Sequence, residues 1–276
     1  MADPIRSRRR RRFLSGCCLG LLLFAGIGVL AGWPVAWPFD LCINLGAVVE
    51  RPDLRAPADG RVRVVVLQHG LWRTAASLLR LERTLQAHGY EVLNPGYPST
   101  RAPIEAHAER LAAAIAERLA SGPVDAFAFV GHSMGGLVIE DYLRRTDAVT
   151  PWACVYLGTP HRGAMLADLR KHWFLFRWAM GETSALQLSP GDPRHQLPIA
   201  YGDRSGTVVG DLGEGNLSIP GHDDGTVGCS EATFPGAAAS VVLPLGHTRL
   251  TFADRSIECV LHFLHRGTFP PTAADH

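Results

Sequence analysis

The sequence predicts an α/β protein with a mostly parallel central sheet, and two observations support this class. Strand and helix patterns alternate from residue 61 to residue 264, as they do in chains of strand–helix–strand units. The first strand segment, 61–68 (RVRVVVLQ), is a β-branched run typical of a strand buried on both faces. The 276 residues suit one large domain with an appendage, because domains of this class reach about 250 residues.

The other elements follow from residue type and spacing. Apolar positions at helical intervals predict helices at 75–88, 104–119, 135–145 and 251–264. Further strand patterns occur at 90–93, 124–130, 152–157 and 240–243. Residues 166–180 are rich in Trp, Phe, Leu and Met, and predict either an ordinary amphipathic helix or part of a cap, 161–195, over an apolar site. The Gly- and Asp-rich stretch 201–228 predicts mostly loop.

The first forty residues predict a membrane anchor or an export signal. Six arginines and one acid lie within 1–12, and no charged residue occurs in 13–39. The segment 13–36 provides the roughly 20 apolar positions that a membrane-spanning helix needs. Arginines on its N-terminal side favour a cytoplasmic N-terminus, so we expect the domain on the extracytoplasmic side.

The predicted organisation is therefore a sequence of five parts. They are a basic cytoplasmic N-terminus (1–12), a transmembrane anchor or signal segment (13–36), a linker (37–60), the main domain (61–266) and a tail (267–276). The alternative is a cleaved export signal with a small-residue site at 29–31 (VLA), after which the domain would be secreted.

Charge and cysteine usage exclude two classes of function. Outside 1–12 the chain has 21 basic and 25 acidic residues, a net charge of −4, which gives no basic face for nucleic acid. Four cysteines lie outside the apolar segment, and their spacing matches no zinc site. Free thiols and one disulfide remain equally open for them. These cysteines are Cys42, Cys154, Cys229 and Cys259.

A glycine-rich turn after the strand 124–130 carries the candidate nucleophile. Residues 131–136 read GHSMGG, a G-x-S-x-G pattern between a predicted strand and a predicted helix. In a nucleophile elbow the serine occupies a sharp turn, and flanking glycines let strand and helix approach each other. The pattern predicts Ser133 as the nucleophile, with an inert Gly-rich turn as the alternative.

These motifs resemble those of α/β-hydrolases of the lipase and esterase kind. GHSMGG is a common lipase form of the elbow, 68–71 (QHGL) is similar to the H-G turn of the family, and 158–163 (GTPHRG) resembles the G-x-P-x-x-G loop of many lipases. The resemblance covers roughly residues 61–266. It implies the α/β-hydrolase fold, and it implies no metal or organic cofactor. In this chain the predicted transmembrane or signal helix would precede that fold.

The resemblance also implies the chain order serine, acid, histidine. We predict Asp224 as the acid, since 223–227 (DDGTV) resembles the D-G-x-V turn that carries the acid in many lipases. Asp223 is the nearest alternative, and Asp203 and Asp211 are weaker candidates. We predict His247 as the base, because it lies between the last predicted strand and the last predicted helix. His69 and His132 are interpreted as neighbours that shape the site.

Two backbone N–H groups are predicted to form the oxyanion hole. One belongs to Met134, the residue after the nucleophile, and the other to Leu71, in the turn after the first strand. Trp72 would be either a wall of the pocket or an ordinary loop aromatic.

The predicted function is hydrolysis of carboxylic (acyl or lipid) esters through an acyl-enzyme. The expected partners are a small-molecule or lipid ester and a membrane bound through the N-terminal helix. An acyltransferase, thioesterase or amidase with the same residues is the alternative. A membrane-tethered binding protein without activity is less favoured, because binding alone needs no Ser–Asp–His set.

Overall fold

The computed structural model describes residues 37–170, 172 and 182–271. Its strands are β1 (Arg63–Gln68), β2 (Glu91–Leu93), β3 (Ala126–His132), β4 (Pro151–Leu157), β5 (Ser205–Gly210) and β6 (Ala239–Leu243). They form one sheet in the order β2-β1-β3-β4-β5-β6, and every neighbouring pair is parallel. The predicted parallel sheet is therefore confirmed.

Helices cover both faces of the sheet. They are α1 (Trp37–Ile43), α2 (Leu79–Ala87), α3 (Ile104–Ala120), α4 (Met134–Arg145), α5 (Met165–Arg170), α6 (Glu182–Gln187), α7 (Cys229–Ala232) and α8 (Asp254–Arg266). Alternate residues of a strand point to opposite faces. In β1, Val65 and Leu67 pack in a cluster with α2 and α8, whereas Val64 and Val66 pack with α3 and α4. This explains why the segment reads as a continuous β-branched run.

The stretch 201–228 is mostly loop, as predicted, but it contains the strand β5, which the sequence analysis did not predict. All six residues of β5 are buried. A Cβ atom at Gly206 would lie only 2.6 Å from the ring of Phe263 in α8. Glycine is present because the aromatic residue packs directly on the strand backbone. The glycine-rich composition by itself indicates a loop. The segment forms a strand because of its long-range packing against α8.

The segment 37–60, which we predict as a linker, packs against the sheet domain in the structure. The Asp40 side chain on α1 is fully buried, and Leu54 belongs to the apolar cluster under α8. On α1, Asp40 binds Arg73 and Thr74, and Asn44, directly after the helix, accepts from the N–H of Arg80. A pattern of apolar residues does not reveal such contacts.

Several predictions concern residues that the structure does not describe. These include the segments 1–12 and 13–36 and part of the proposed cap, 173–181. Where the chain is described, we find no helix with the length and hydropathy needed to cross a bilayer. The four cysteines Cys42, Cys154, Cys229 and Cys259 are free thiols.

The parallel arrangement determines where a site can form. The carboxyl ends of all strands lie at one edge of the sheet, where ligands bind in open α/β folds. Ser133 directly follows β3, and Gly158 directly follows β4. The connections that leave β5 and β6 carry Asp224 and His247, so all of these residues lie at this edge.

Candidate active site

Ser133 lies in a strained turn between β3 and α4. Its backbone has φ of 54° and ψ of −129°, a conformation that residues with a side chain rarely adopt. Its N–H donates a hydrogen bond to the carbonyl of Leu157, the last residue of β4, over 2.9 Å. A Cβ at Gly135 would overlap the carbonyl oxygen of Gln68 at the end of β1. Strand and helix therefore approach so closely that only glycine fits there.

Asp224 and His247 form a hydrogen-bonded pair. The Nδ1 atom of His247 lies 2.6 Å from Oδ2 of Asp224, and the Asp224 side chain is 1% exposed. Oδ1 of Asp224 accepts hydrogen bonds from the N–H groups of Thr226 and Val227, over 2.9 and 2.8 Å. Since an ionised carboxylate only accepts, Nδ1 of His247 donates and Nε2 is left able to take up a proton.

The backbone fixes this pair a second time. The N–H of His247 donates to the carbonyl of Asp224 over 2.9 Å. A Cβ at Gly158 would lie 3.2 Å from both Oδ2 of Asp224 and Nδ1 of His247. The turn after β4 therefore closes on the pair, and the orientation of the imidazole is determined from several sides.

The other candidate acids have different contacts. Asp223 is fully buried, and its carboxylate accepts from the backbone N–H groups of Gly225 and Asn216. Asp211 pairs with His222, which is exposed. Asp203 pairs with its neighbour Arg204 on the surface. Of these carboxylates, the structure brings only Asp224 to His247.

His132 connects the serine turn with His247. The two rings have centroids 4.8 Å apart, and Nε2 of His132 donates to the carbonyl of His247 over 3.1 Å. Complete burial holds the pKa of His132 well below its ordinary value, and the charge of His247 acts in the same direction. His132 is therefore neutral, and its hydrogen bond to the carbonyl of His247 links that residue to the Ser133 turn.

The turn after β1 lies against the serine. A Cβ at Gly70 would be 2.9 Å from Cβ of Ser133. His69 donates from Nδ1 to the carbonyl of Gly70 and stacks on Tyr97 with a centroid distance of 4.3 Å. Burial lowers the pKa of His69 to about 4, so it is neutral near pH 7. Trp72, with φ of 61°, donates its N–H to Ser99 and is 37% exposed.

Both residues predicted to form the oxyanion hole are at this place. Met134 is buried and opens α4, where N–H groups have no partner within the helix. Leu71 follows Gly70 and packs against the same apolar cluster as Met134. Leu71 is thus one residue from Gly70, which packs against Ser133, and Met134 is one residue from Ser133 itself. Their role as oxyanion donors stays a prediction.

Comparison with known proteins assigns the family. The sequence profile of the alpha/beta hydrolase family matches residues 64–261. The chain belongs to this family. No curated protein matches the hydrolase by sequence.

Solved structures with the same fold have low sequence identity to this hydrolase. The lipase BlEst2 of Bacillus licheniformis, in its mature form, is 19% identical with a TM-score of 0.54, over 79% of this chain and 95% of the lipase. A metagenomic carboxyl esterase is 18% identical with a TM-score of 0.53, over 70% of this chain and 66% of the esterase. The phospholipase PlaB of Legionella pneumophila is 17% identical with a TM-score of 0.51, over 62% of this chain and 44% of the phospholipase. At such identities the similarity concerns the fold.

The GTPHRG loop of the hydrolase borders a cavity of about 290 Å³ beside α4. His161 lines this cavity and contacts the rings of Tyr156 and Phe234, with centroid distances of 4.8 and 4.5 Å. Burial lowers the pKa of His161 to about 3. Ser133 and His247 do not line the cavity, so it is separate from the candidate catalytic residues.

Sequence reasoning missed one set of residues at the site. Arg73, two residues after Leu71, bridges Asp40 on α1 and Thr248, the neighbour of His247. The available signal was an arginine three residues after Gly70, in the stretch 69–73 (HGLWR). Its partners lie far away in sequence, and no local pattern indicates them.

Proposed function

We propose that this hydrolase cleaves carboxylic esters, with Ser133 as nucleophile, His247 as base and Asp224 as the acid that orients it. The observation that carries the proposal is the 2.6 Å contact of His247 with a buried carboxylate. His247 contacts the ring of His132, which directly precedes a serine whose backbone is held at positive φ. Such an arrangement has no use in a protein that only binds.

The proposed reaction follows from the positions of the donors and acceptors. Nε2 of His247 takes the proton of Ser133 as its Oγ attacks the ester carbonyl, and the N–H groups of Met134 and Leu71 stabilise the oxyanion. His247 then gives the proton to the departing alcohol, which leaves an acyl-enzyme. Water, deprotonated by His247, attacks the acyl group and releases the acid with free Ser133.

Acyl esters are the proposed substrate class, and the membrane is the proposed location. The similar folds reported above include a lipase and a carboxyl esterase. The apolar segment 13–36 would anchor the chain, with the domain on the extracytoplasmic side. Helix α1 begins directly after this segment, so the domain would lie close to the membrane surface. Secretion after cleavage of the segment is the alternative.

The test is turnover of chromogenic esters with short to long acyl chains by the full-length chain in detergent. Ser133→Ala should abolish turnover and labelling by a fluorophosphonate, while circular dichroism stays unchanged. Ser218→Ala, which alters an exposed loop serine, is the matched control and should retain both activities.

The same assay distinguishes the alternatives. Preferred turnover of thioesters or amides, or transfer of the acyl group to an added alcohol, would replace ester hydrolysis by the corresponding reaction. Wild-type protein that neither turns over any acyl compound nor reacts with the phosphonate would refute the proposal.

A further inference from the structure

A partly buried polar bridge links three distant parts of the chain at the candidate site. One Nη of Arg73 donates to Oγ1 of Thr248 over 2.7 Å, and the other Nη donates to Oδ1 of Asp40 over 3.1 Å. Arg73 follows the turn that carries Leu71, and Thr248 follows His247. One guanidinium therefore connects α1, the oxyanion turn and the loop of the catalytic histidine.

Asp40 is fixed more firmly than an ordinary surface carboxylate. Its side chain is fully buried, and its Oδ2 accepts from the N–H and the hydroxyl of Thr74, over 2.8 and 3.0 Å. The Arg73 guanidinium also lies over the ring of Phe39, 5.3 Å from its centroid. A buried charge with all its partners in place holds one geometry, because losing any of them leaves it unpaired.

The oxyanion turn is tied to the same arginine through its backbone. The N–H of Arg73 donates to the carbonyl of Gly70 over 3.2 Å, and Gly70 packs against Ser133. A rigid, forked guanidinium can hold two acceptors at a fixed separation, which an ammonium group cannot do. Movement of either loop would break one of these contacts.

We propose that Arg73, held by Asp40, is a positioning residue that sets the distance between the oxyanion turn and the His247 loop. This inference rests on the proposed function of Ser133 and His247. Helix α1 then belongs to the catalytic scaffold, although it lies directly after the segment predicted to anchor the chain. The residue acts through Thr248 and through the turn, and it touches no reacting atom.

The first test is Arg73→Met and Thr248→Val in the full-length chain, assayed on the ester that wild type prefers. Misplacement of a catalytic group by about 1 Å costs on the order of 10² in rate. We therefore expect each variant to lower kcat by about 10- to 100-fold with KM almost unchanged. Thr248→Ser keeps the hydroxyl and should restore kcat, and Arg73→Lys should lie between Met and wild type.

A double-mutant cycle separates this bridge from general loss of stability. Because both substitutions remove the same contact, Arg73→Met combined with Thr248→Val should be no slower than Arg73→Met alone. If Arg73→Met does not fold, Thr248→Val and Thr248→Ser alone decide the question, since they differ by one hydroxyl group.

Arg83→Met is the matched control. Arg83 also binds the segment 37–60, through the carbonyls of Asn44 and Gly46. No described contact of its side chain reaches residues 247–251. Its loss should leave kcat within about two-fold of wild type, since effects of changes away from such contacts are small. A fall in kcat as large as that of Arg73→Met would overturn the proposal.

Hydrogen exchange gives a readout that does not depend on ester turnover. Peptides covering 244–251 should exchange faster in Arg73→Met and Thr248→Val than in wild type or Arg83→Met. Unchanged exchange with unchanged kcat would overturn the inference. If wild type neither hydrolyses esters nor labels at Ser133, the proposed function fails, and the inferred positioning role fails with it. Hydrogen exchange would then still show whether the Arg73–Thr248 contact holds residues 244–251 in place.

Discussion

Ser133 and the Asp224–His247 pair meet at the same edge of the sheet, but the chain holds them by different means. The serine turn is fixed by steric contact, because Gly135 lies against the backbone at the end of β1. The acid–base pair is fixed by hydrogen bonds between the connections that follow β5 and β6. The first arrangement tolerates no added atom, whereas the second depends on the identity of each donor and acceptor.

The largest loss of activity is expected when the oxygen of Asp224 that accepts from His247 is replaced by a donor group. Asp224→Asn keeps an oxygen for the N–H groups of Thr226 and Val227 and presents its NH₂ to Nδ1 of His247. The imidazole must then carry its proton on Nε2 and cannot act as a base. In the ester assay we expect kcat to fall about 10⁴-fold, as it does for the same change in other Ser–His–Asp sites.

Asp223→Asn is the control for that prediction. The neighbouring carboxylate contacts only backbone N–H groups of its own loop, so the folded variant should retain turnover. If the folded Asp223→Asn variant were as inactive as Asp224→Asn, the assignment of the acid to Asp224 alone would be contradicted.

The steric half of the comparison is tested by Gly135→Ala. The new methyl group would overlap the carbonyl oxygens of Gln68 and His69, and overpacking of this kind costs about 3 kcal/mol in free energy of unfolding. Urea denaturation measures it. Gly215→Ala, where a Cβ meets no atom within 4 Å, should change the free energy by less than about 0.5 kcal/mol. Equal stability of the two variants would contradict the close approach of helix and strand.

The smallest effect, expressed per pH unit, concerns His161, which lies three residues after Gly158. Its pKa is about 3 in the folded protein and about 6.5 in an unfolded chain. Between these values the unfolded chain binds the proton first, so stability is complete above pH 6.5 and falls as the pH decreases. One such group contributes at most about 1.4 kcal/mol per pH unit.

Urea denaturation at several pH values between 4 and 6.5 measures this slope. His161→Phe keeps an aromatic ring between Tyr156 and Phe234 and removes the titrating group. We expect a flatter slope than in wild type, whatever the absolute stability of the variant. The remaining slope includes His69 and His107, whose pKa values are lowered by burial to about 4. Identical slopes would mean that His161 is not a buried neutral group.

The same contrast explains what could be predicted from the sequence. The Ser133 turn is encoded locally, so five residues in the right context suffice to place it. Asp224 and His247 follow from motif resemblance and chain order, and the structure brings these two side chains together. Their catalytic roles stay predictions until the variants are measured.

Long-range contacts account for what the sequence did not reveal. The strand β5 has glycine at 206 because Phe263 packs on its backbone there, and the local composition resembles that of a loop. Arg73, Asp40 and Thr248 are ordinary polar residues until the fold joins them. Side chains whose partners are dozens of residues away give no periodic pattern, and this is why the contacts of α1 were missed.

The order in which strands enter the sheet also bears on how the chain is made. After β3, each new strand joins the same growing edge, first β4, then β5, then β6. During translation the nucleophile turn is therefore synthesised long before the residues that would activate it. A ribosome-bound chain that ends before β6 carries Ser133 without His247, and so the proposed hydrolysis begins only once the growing polypeptide has delivered its last strand.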